Sequence, residues 1–333
     1  MHGVYLLWWV QERHVPAAVV AGVLASGDLA LTGLEWPTGW FADRCGHRAS
    51  LIVGSVLQVI GMLLSWFATG VPGLLTASVV VAAGDAFRSG ADQALLYRSC
   101  VAAGHEDRFL RLEAGTYSVQ LVGLVTLTLI GGLLTETVGF GFGWMLEVCL
   151  SVVGLGIACA FVEPPRCPHG PDDHDGESTR GGSVSRSCRF VPLMALILPA
   201  ALVAAVAHVS TFAAQVAGTD AGRVALLVAT LTLVEAGGAA LAMRCTQATL
   251  RSQVAILAMA AGCVLTAVAF PTLFVPAVVG LSLLVGAAAP LRATAAQRLA
   301  DDAMRARAAS LASACDKGLS TMALALFGYW RRS

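Results

Sequence analysis

The sequence has few charged residues. Asp, Glu, Lys and Arg make up 13% of its 333 residues, and Lys317 is the only lysine. A soluble domain carries about 25% charged residues, because its surface must be solvated by water. With half that share and a mean hydropathy of +0.75, most of this surface cannot face water. The composition excludes an ordinary soluble protein and predicts one embedded in lipid.

Signatures of several other protein classes are also missing. The nine cysteines form no CxxC pair, so neither a disulfide framework nor a zinc site is indicated. The ATP-binding motif GxxxxGK[ST] and the hydrolase motifs HExxH and GxSxG are absent. The sequence also contains no basic patch of the kind that binds nucleic acid. Cys167, His169, His174 and Cys188 lie in one polar segment, which we interpret as an exposed loop rather than a metal site. We predict no metal and no cofactor.

Long apolar runs fill most of the chain. A run of about 20 residues crosses the hydrocarbon layer as an α-helix, and these runs do not alternate as barrel strands would. We predict an all-α, multi-pass membrane protein with about ten complete spans, preceded by a partial one at Val4–Val10. The complete runs are Ala17–Ala42, Ala49–Ala68, Pro72–Leu96, Phe109–Leu134, Gly141–Val162, Val191–Ala217, Arg223–Met243, Val254–Phe270, Leu273–Leu291 and Ala308–Trp330.

A polar segment divides the runs into two sets. Residues 163–190 are rich in Gly, Pro, Asp and Ser and indicate an exposed linker between helical bundles at 1–162 and 191–333. The two halves also match at an offset of 200 residues. The matching pairs are Glu35 with Glu235, Arg44 with Arg244, Cys45 with Cys245, and Arg98 with Arg298. Such a pattern is typical of a parallel repeat.

The arginines predict the orientation in the membrane. If the link at Asp43–Arg48 is cytoplasmic, fifteen arginines lie on the inner side, and only Arg13, Arg223, Arg331 and Arg332 lie outside. The positive-inside rule favours this arrangement. We therefore expect a multi-pass protein of the cytoplasmic membrane, with the 43–48 loop and the 163–190 linker in the cytoplasm.

One short polar stretch between two apolar runs carries a resemblance. The stretch is GWFADRCGHR at 39–48, and it resembles the loop signature G-x-x-x-D-R-x-G-x-R of the major facilitator superfamily, found between its second and third helices. The matching residues are Gly39, Asp43, Arg44, Gly46 and Arg48. EWPTG at 35–39 and SGADQALLY at 89–97 resemble a bacterial branch of the same superfamily. The resemblance covers nearly the whole chain.

The resemblance implies two six-helix bundles and secondary active transport of a small solute by alternating access. It implies that the 39–48 loop is a conformational switch. In one state, Asp43 would accept hydrogen bonds from Arg44, from Arg48 or from a neighbouring helix N-terminus. Compared with the family's twelve helices, this chain is expected to lack most of the first and all of the twelfth.

Two family patterns are altered in this sequence. On the fourth helix, Ala86 replaces an arginine that often precedes a glycine by four residues, and Arg88 is displaced from that position. In the antiporter motif of the fifth helix, Leu127 and Thr128 replace the central Gly-Pro. Proton antiport is therefore not predicted from that motif.

Ionisable residues inside apolar runs are candidates for the cavity or for ion coupling, because each costs about 2.5–3.5 kcal/mol at mid-span. On one continuous helix, Asp85, Arg88 and Asp92 would share a face. The carboxylates of Asp85 and Asp92 would then be about 10 Å apart, which is too far for the shared-proton pair of a membrane-embedded hydrolase. The further candidates are Asp28, His208, Asp316 and Lys317. We interpret Glu35 and Glu235 as structural, and Glu113 and Glu147 as helix-end residues whose side chains reach the membrane interface.

The sequence thus predicts a transporter, not an enzyme. Its expected partners are a small-molecule substrate, protons and the lipid bilayer, and we expect a monomer that binds no nucleic acid. Family analogy slightly favours efflux of small amphipathic compounds over uptake. The alternatives left open are a truncated or degenerate copy without transport activity and, much less favoured, the membrane-embedded hydrolase.

Overall fold

A computed structural model describes Trp9 and residues 13–164, 221–244, 250–299, 306–307, 309–310, 312–315 and 318. The described part is helical and contains no strand. Its helices are α1 (Ala17–Cys45), α2 (His47–Phe67), α3 (Gly70–Arg88), α4 (Ala91–Ala102), α5 (Phe109–Val138), α6 (Phe140–Ala160), α7 (Ala221–Ala242), α8 (Leu250–Ala269) and α9 (Phe274–Leu299). The described residues between 306 and 315 are helical as well, and we call them the terminal segment.

The predicted all-α fold is confirmed. Eight of the predicted apolar runs fall on helices in the described part of the chain. The run at Val191–Ala217 lies outside the described residues, as does the part of the Ala308–Trp330 run that follows residue 318. Five helical stretches are long and apolar enough to cross a membrane: His47–Phe67, Gly70–Ala102, Glu106–Gly131, Phe140–Ala160 and Phe274–Arg298. Many large apolar side chains on them are exposed, as expected of helices that face lipid.

The prediction of one continuous helix at Pro72–Leu96 is wrong. α3 ends at Arg88, and α4 begins at Ala91. Gly90 lies between them with a φ of 76°, in the left-handed region that glycine adopts without steric cost. The hydropathy of the run does not change at this point, so periodicity alone could not locate the break.

Glycines allow close packing of the helices in the first half. α2 and α3 cross where Gly54 and Gly84 face each other, and a Cβ on Gly54 would lie only 2.7 Å from the Gly84 carbonyl oxygen. Serine and threonine hydroxyls connect the neighbouring backbones. Ser50 donates to the Phe87 carbonyl at 2.6 Å, and Thr38 donates to the Ala86 carbonyl at 2.9 Å. Small residues and hydroxyls are the usual means of helix association in lipid.

Candidate functional site

Asp43 connects the two halves of the chain. Its carboxylate accepts hydrogen bonds from the Ala306 backbone N–H at 2.9 Å, the Arg307 backbone N–H at 3.4 Å and the Arg307 Nε at 2.9 Å. The Asp43 side chain is only 5% exposed. The carboxylate thus accepts from backbone N–H groups of the terminal segment and pairs with the positive charge of Arg307. These donors, two backbone N–H groups and one guanidinium, all belong to the terminal segment.

The other residues of the predicted loop have separate contacts. Gly39 packs against the terminal segment, where an added Cβ would lie 3.1 Å from the Arg307 Cα. Gly46 joins α1 to α2. The Arg44 guanidinium lies 5.3 Å from the centre of the Trp40 ring, a cation–π contact. Arg48 donates to the Cys159 carbonyl at 2.8 Å, within the first half.

Glu35 adds a second polar bridge beside Asp43. Its side chain is 1% exposed, and its carboxylate accepts hydrogen bonds from Ser89 at 3.2 Å and from Ser313 at 2.7 Å. Ser310 donates to the Ser89 carbonyl at 3.3 Å. We call this set the first inter-half contact; it comprises Glu35, Gly39, Asp43, Ser89 and Gly90 against Arg307, Ser310 and Ser313.

A second inter-half contact lies between α5 and α7. The Tyr117 hydroxyl donates to the Glu235 carboxylate at 2.8 Å, and Ser118 donates to the Ala236 carbonyl at 3.2 Å. Glu35 and Glu235, which the repeat pairs at an offset of 200 residues, thus each accept a hydrogen bond from the opposite half. Both glutamates therefore take part in contacts between the halves.

Glu163 forms a contact that the sequence did not reveal. It lies just after α6, and its carboxylate accepts from the backbone N–H groups of His47 at 3.1 Å and Arg48 at 2.6 Å, which caps the N-terminus of α2. Arg98 of α4 donates to the same carboxylate at 3.1 Å. Three helices of the first half therefore meet at one side chain. The predicted linker begins at Glu163. Because that segment is polar throughout, the sequence did not distinguish this structural residue from the rest of the linker.

The helix break separates three charges that were predicted to share a helical face. Arg88 and Asp85 lie 4.0 Å apart near the end of α3. Asp92 lies in the first turn of α4, beyond Gly90. Asp85 lines one cavity and Asp92 lines another, so the predicted single face does not exist.

The larger cavity, of about 740 Å³, lies among α2, α4, α5 and α6. Arg88, Asp92 and Gln93 line it together with Glu113 and Glu147. Glu113 is only 8% exposed, and Gln93 lines the same cavity. Glu113 lies near a helix end as predicted, but it is buried, so its predicted reach to the membrane interface is wrong. Glu147 lies about 10 Å from the start of α6. Its distance from the end of the apolar run was the feature of the sequence that could have indicated this depth.

The smaller cavity, of about 350 Å³, contains two of the predicted candidates. Asp28 and Asp85 both line it, among mostly apolar residues that include Trp9 and Trp144. His208, Asp316 and Lys317 lie outside the described residues, as do the four cysteines and histidines of the polar segment. Among the described residues, no group of three or more His, Cys, Asp or Glu side chains could hold a metal ion.

Solved structures share this fold. A proton:xylose symporter, XylE, has a TM-score of 0.71 and 16% identity, covering 99% of this chain and 84% of that one. FucP in its outward conformation has a TM-score of 0.74 and 14% identity, covering 98% and 89%. A variant of the E. coli fucose:proton symporter FucP has a TM-score of 0.73 and 15% identity, covering 99% and 88%. No curated protein sequence matches the chain significantly.

The family is shown by sequence. The family model described as Major Facilitator Superfamily matches residues 1–323, nearly the whole chain. This match agrees with the helical fold, the apolar spans and the loop at 39–48. The chain is therefore a multi-pass membrane protein and a member of the Major Facilitator Superfamily, a family of transporters.

Proposed function

We propose that the chain moves a small solute across the cytoplasmic membrane by alternating access, driven by a proton gradient, with the 39–48 loop acting as its conformational switch. The observation that carries this proposal is the first inter-half contact. It joins the halves through a few polar side-chain bonds around Asp43 and Glu35. Such bonds can form in one state and separate in the other without unfolding either half.

The proposed orientation follows from the arginine distribution. If the 43–48 loop is cytoplasmic, the described state is closed on the cytoplasmic side. The second inter-half contact, between Tyr117 and Glu235, would have to rearrange as well when this side opens. Two matched contacts suit a rocking motion of the halves, since each can separate as the bundles rotate.

Proton coupling is proposed from the acids within the spans. Asp28, Asp85, Asp92 and Glu113 line cavities in membrane-spanning helices. A carboxyl group in such a place can take up and release a proton when access alternates. The similar structures include proton:sugar symporters, so sugars and protons form the first test pair.

We expect purified protein in proteoliposomes to accumulate a labelled solute when a pH gradient is imposed. The assay would use xylose, fucose and a panel of small amphipathic compounds, with empty liposomes as the control. A protonophore should abolish accumulation of the labelled solute, which should still equilibrate slowly across the liposome membrane. No transport of any compound in either direction, by monodisperse protein, would contradict the proposal and favour a copy without transport activity.

A further inference from the structure

Leu110 belongs to the first half of the chain but is buried against the second half. It lies in the first turn of α5 and is only 2% exposed. Among the described residues, the apolar cluster that contains Leu110 is otherwise formed only by α8 and α9. We call the buried members of the cluster in those two helices the socket: Ile256, Ala260, Leu281, Val285, Ala288 and Leu291.

The end of α9 is buried as well. The five consecutive residues at 293–297 are each at most 5% exposed. Because one helical turn contains 3.6 residues, this end of α9 has no face open to lipid or water. α9 packs against α4 and α5 of the first half. The contact of Leu110 with the socket is therefore part of a wider buried junction between the halves.

This junction lies on the same side of the membrane as the 39–48 loop. α2 leads away from that loop, and α3 and α4 together lead back to the exposed turn at 103–108, just before α5. When the halves separate on this side, water reaches Leu110 and the socket. Apolar surface that becomes exposed to water costs free energy in proportion to its area. Polar groups such as Asp43 and Glu35 exchange their partners for water, so each of their bonds contributes less than its full strength.

We propose that Leu110 is a positioning residue for alternating access. While its side chain lies in the socket, it holds the halves together on the side of the 39–48 loop, and it leaves the socket when they separate there. This inference rests on the proposed transport function and adds an apolar contact to the polar bonds around Asp43 and Glu35. Because both contacts act on the same equilibrium, shortening Leu110 should favour the open state although the pair between Asp43 and Arg307 is unchanged.

The variant Leu110→Ala tests this inference directly. Ser310→Cys, in a background without native cysteines, would react with a water-soluble thiol reagent in nanodiscs. The alanine leaves a cavity in the socket, so labelling at position 310 should become at least about tenfold faster. Leu110→Met keeps a similar apolar volume, and its labelling rate should stay within about threefold of that of the parent.

Leu112→Ala is the matched control. It makes the same substitution on the same helical turn, but Leu112 is 46% exposed, so labelling at position 310 should match that of the parent. A second reporter detects loss of packing within the first half. It is Cys100, a buried native cysteine of α4 that packs with Tyr97 and Phe109. With Cys100 as the only cysteine, its reaction should be as slow in Leu110→Ala as in the parent.

Several results would overturn the inference. One is labelling at position 310 that is no faster in Leu110→Ala than in the parent. Another is equal acceleration in Leu110→Ala and Leu112→Ala, or in Leu110→Ala and Leu110→Met. A third is a parallel acceleration at Cys100, which would show that packing within the first half is lost. If the alanine variant is not monodisperse, Leu110→Val takes its place; it removes less volume and should accelerate labelling at least about threefold, and the same results would overturn the inference.

The outcome separates this inference from the transport function. If the parent transports a solute but Leu110→Ala leaves the labelling rate unchanged, Leu110 has no such role and transport stands. If labelling changes as expected but no compound is transported, the role of Leu110 in holding the halves together stands and the transport function fails.

Discussion

Replacing Asp43 by asparagine should lower transport at least about tenfold. Asparagine keeps one oxygen for the Ala306 N–H but loses the charged pair with Arg307, now at 2.9 Å. Charge-assisted hydrogen bonds contribute about 1.5–3 kcal/mol, which corresponds to a tenfold or larger shift between two conformations. Initial transport rates would be measured in proteoliposomes. In parallel, Ser310→Cys would be introduced into a background without native cysteines. Its reaction with a thiol reagent should be faster when Asp43 is replaced by asparagine than when Asp43 is present.

Arg48→Gln serves as the control for this loop. It removes an arginine of the same motif whose described side-chain hydrogen bond, to the Cys159 carbonyl, stays within the first half. Labelling at position 310 should therefore change much less than in Asp43→Asn. Equal labelling rates in the two variants would show that the pair with Arg307 does not hold the halves together.

Replacing Gly90 by alanine should also lower transport strongly. At a φ of 76°, a side chain costs about 1–2 kcal/mol in backbone strain. In addition, the new Cβ would lie 2.9 Å from the Ala306 carbonyl oxygen and 3.0 Å from the Ala309 Cβ. The terminal segment would have to move away, so the first inter-half contact should weaken. The readouts are again transport rate and labelling at position 310.

Gly104→Ala separates strain from contact. Gly104 has a similar φ of 71°, but a Cβ there would meet no atom within 4 Å. Through strain alone, this variant should lose about as much thermal stability as backbone strain costs in Gly90→Ala. Its transport should stay near that of the parent. If both variants impaired transport equally, the steric contact of Gly90 with the terminal segment would have no role.

Much of the fold could be predicted from the sequence because lipid imposes a simple rule. Backbone groups must be paired within each span, so apolar runs of sufficient length become helices. The runs at Ala49–Ala68 and Gly141–Val162 correspond closely to α2 and α6. The 39–48 motif also contains Asp43, one of the side chains that join the halves.

The rest depended on contacts that hydropathy does not report. The break at Gly90 leaves the apolar pattern of the run unchanged, so Asp85 and Asp92 could not be assigned to different cavities from spacing alone. Glu113 lies only one turn after the start of α5, where a residue exposed at the interface was the simpler expectation. Its burial is a tertiary property, which hydropathy does not report.

The most direct test of the account is to fix the first inter-half contact in its closed form. Ser89→Cys and Ser310→Cys, in a background without native cysteines, would be joined by a short bifunctional thiol reagent that reduction cleaves. The Ser310 hydroxyl and the Ser89 carbonyl lie 3.3 Å apart, so the pair is within reach. We expect transport to stop on cross-linking and to return on reduction. Full transport with the pair joined would contradict alternating access through this contact.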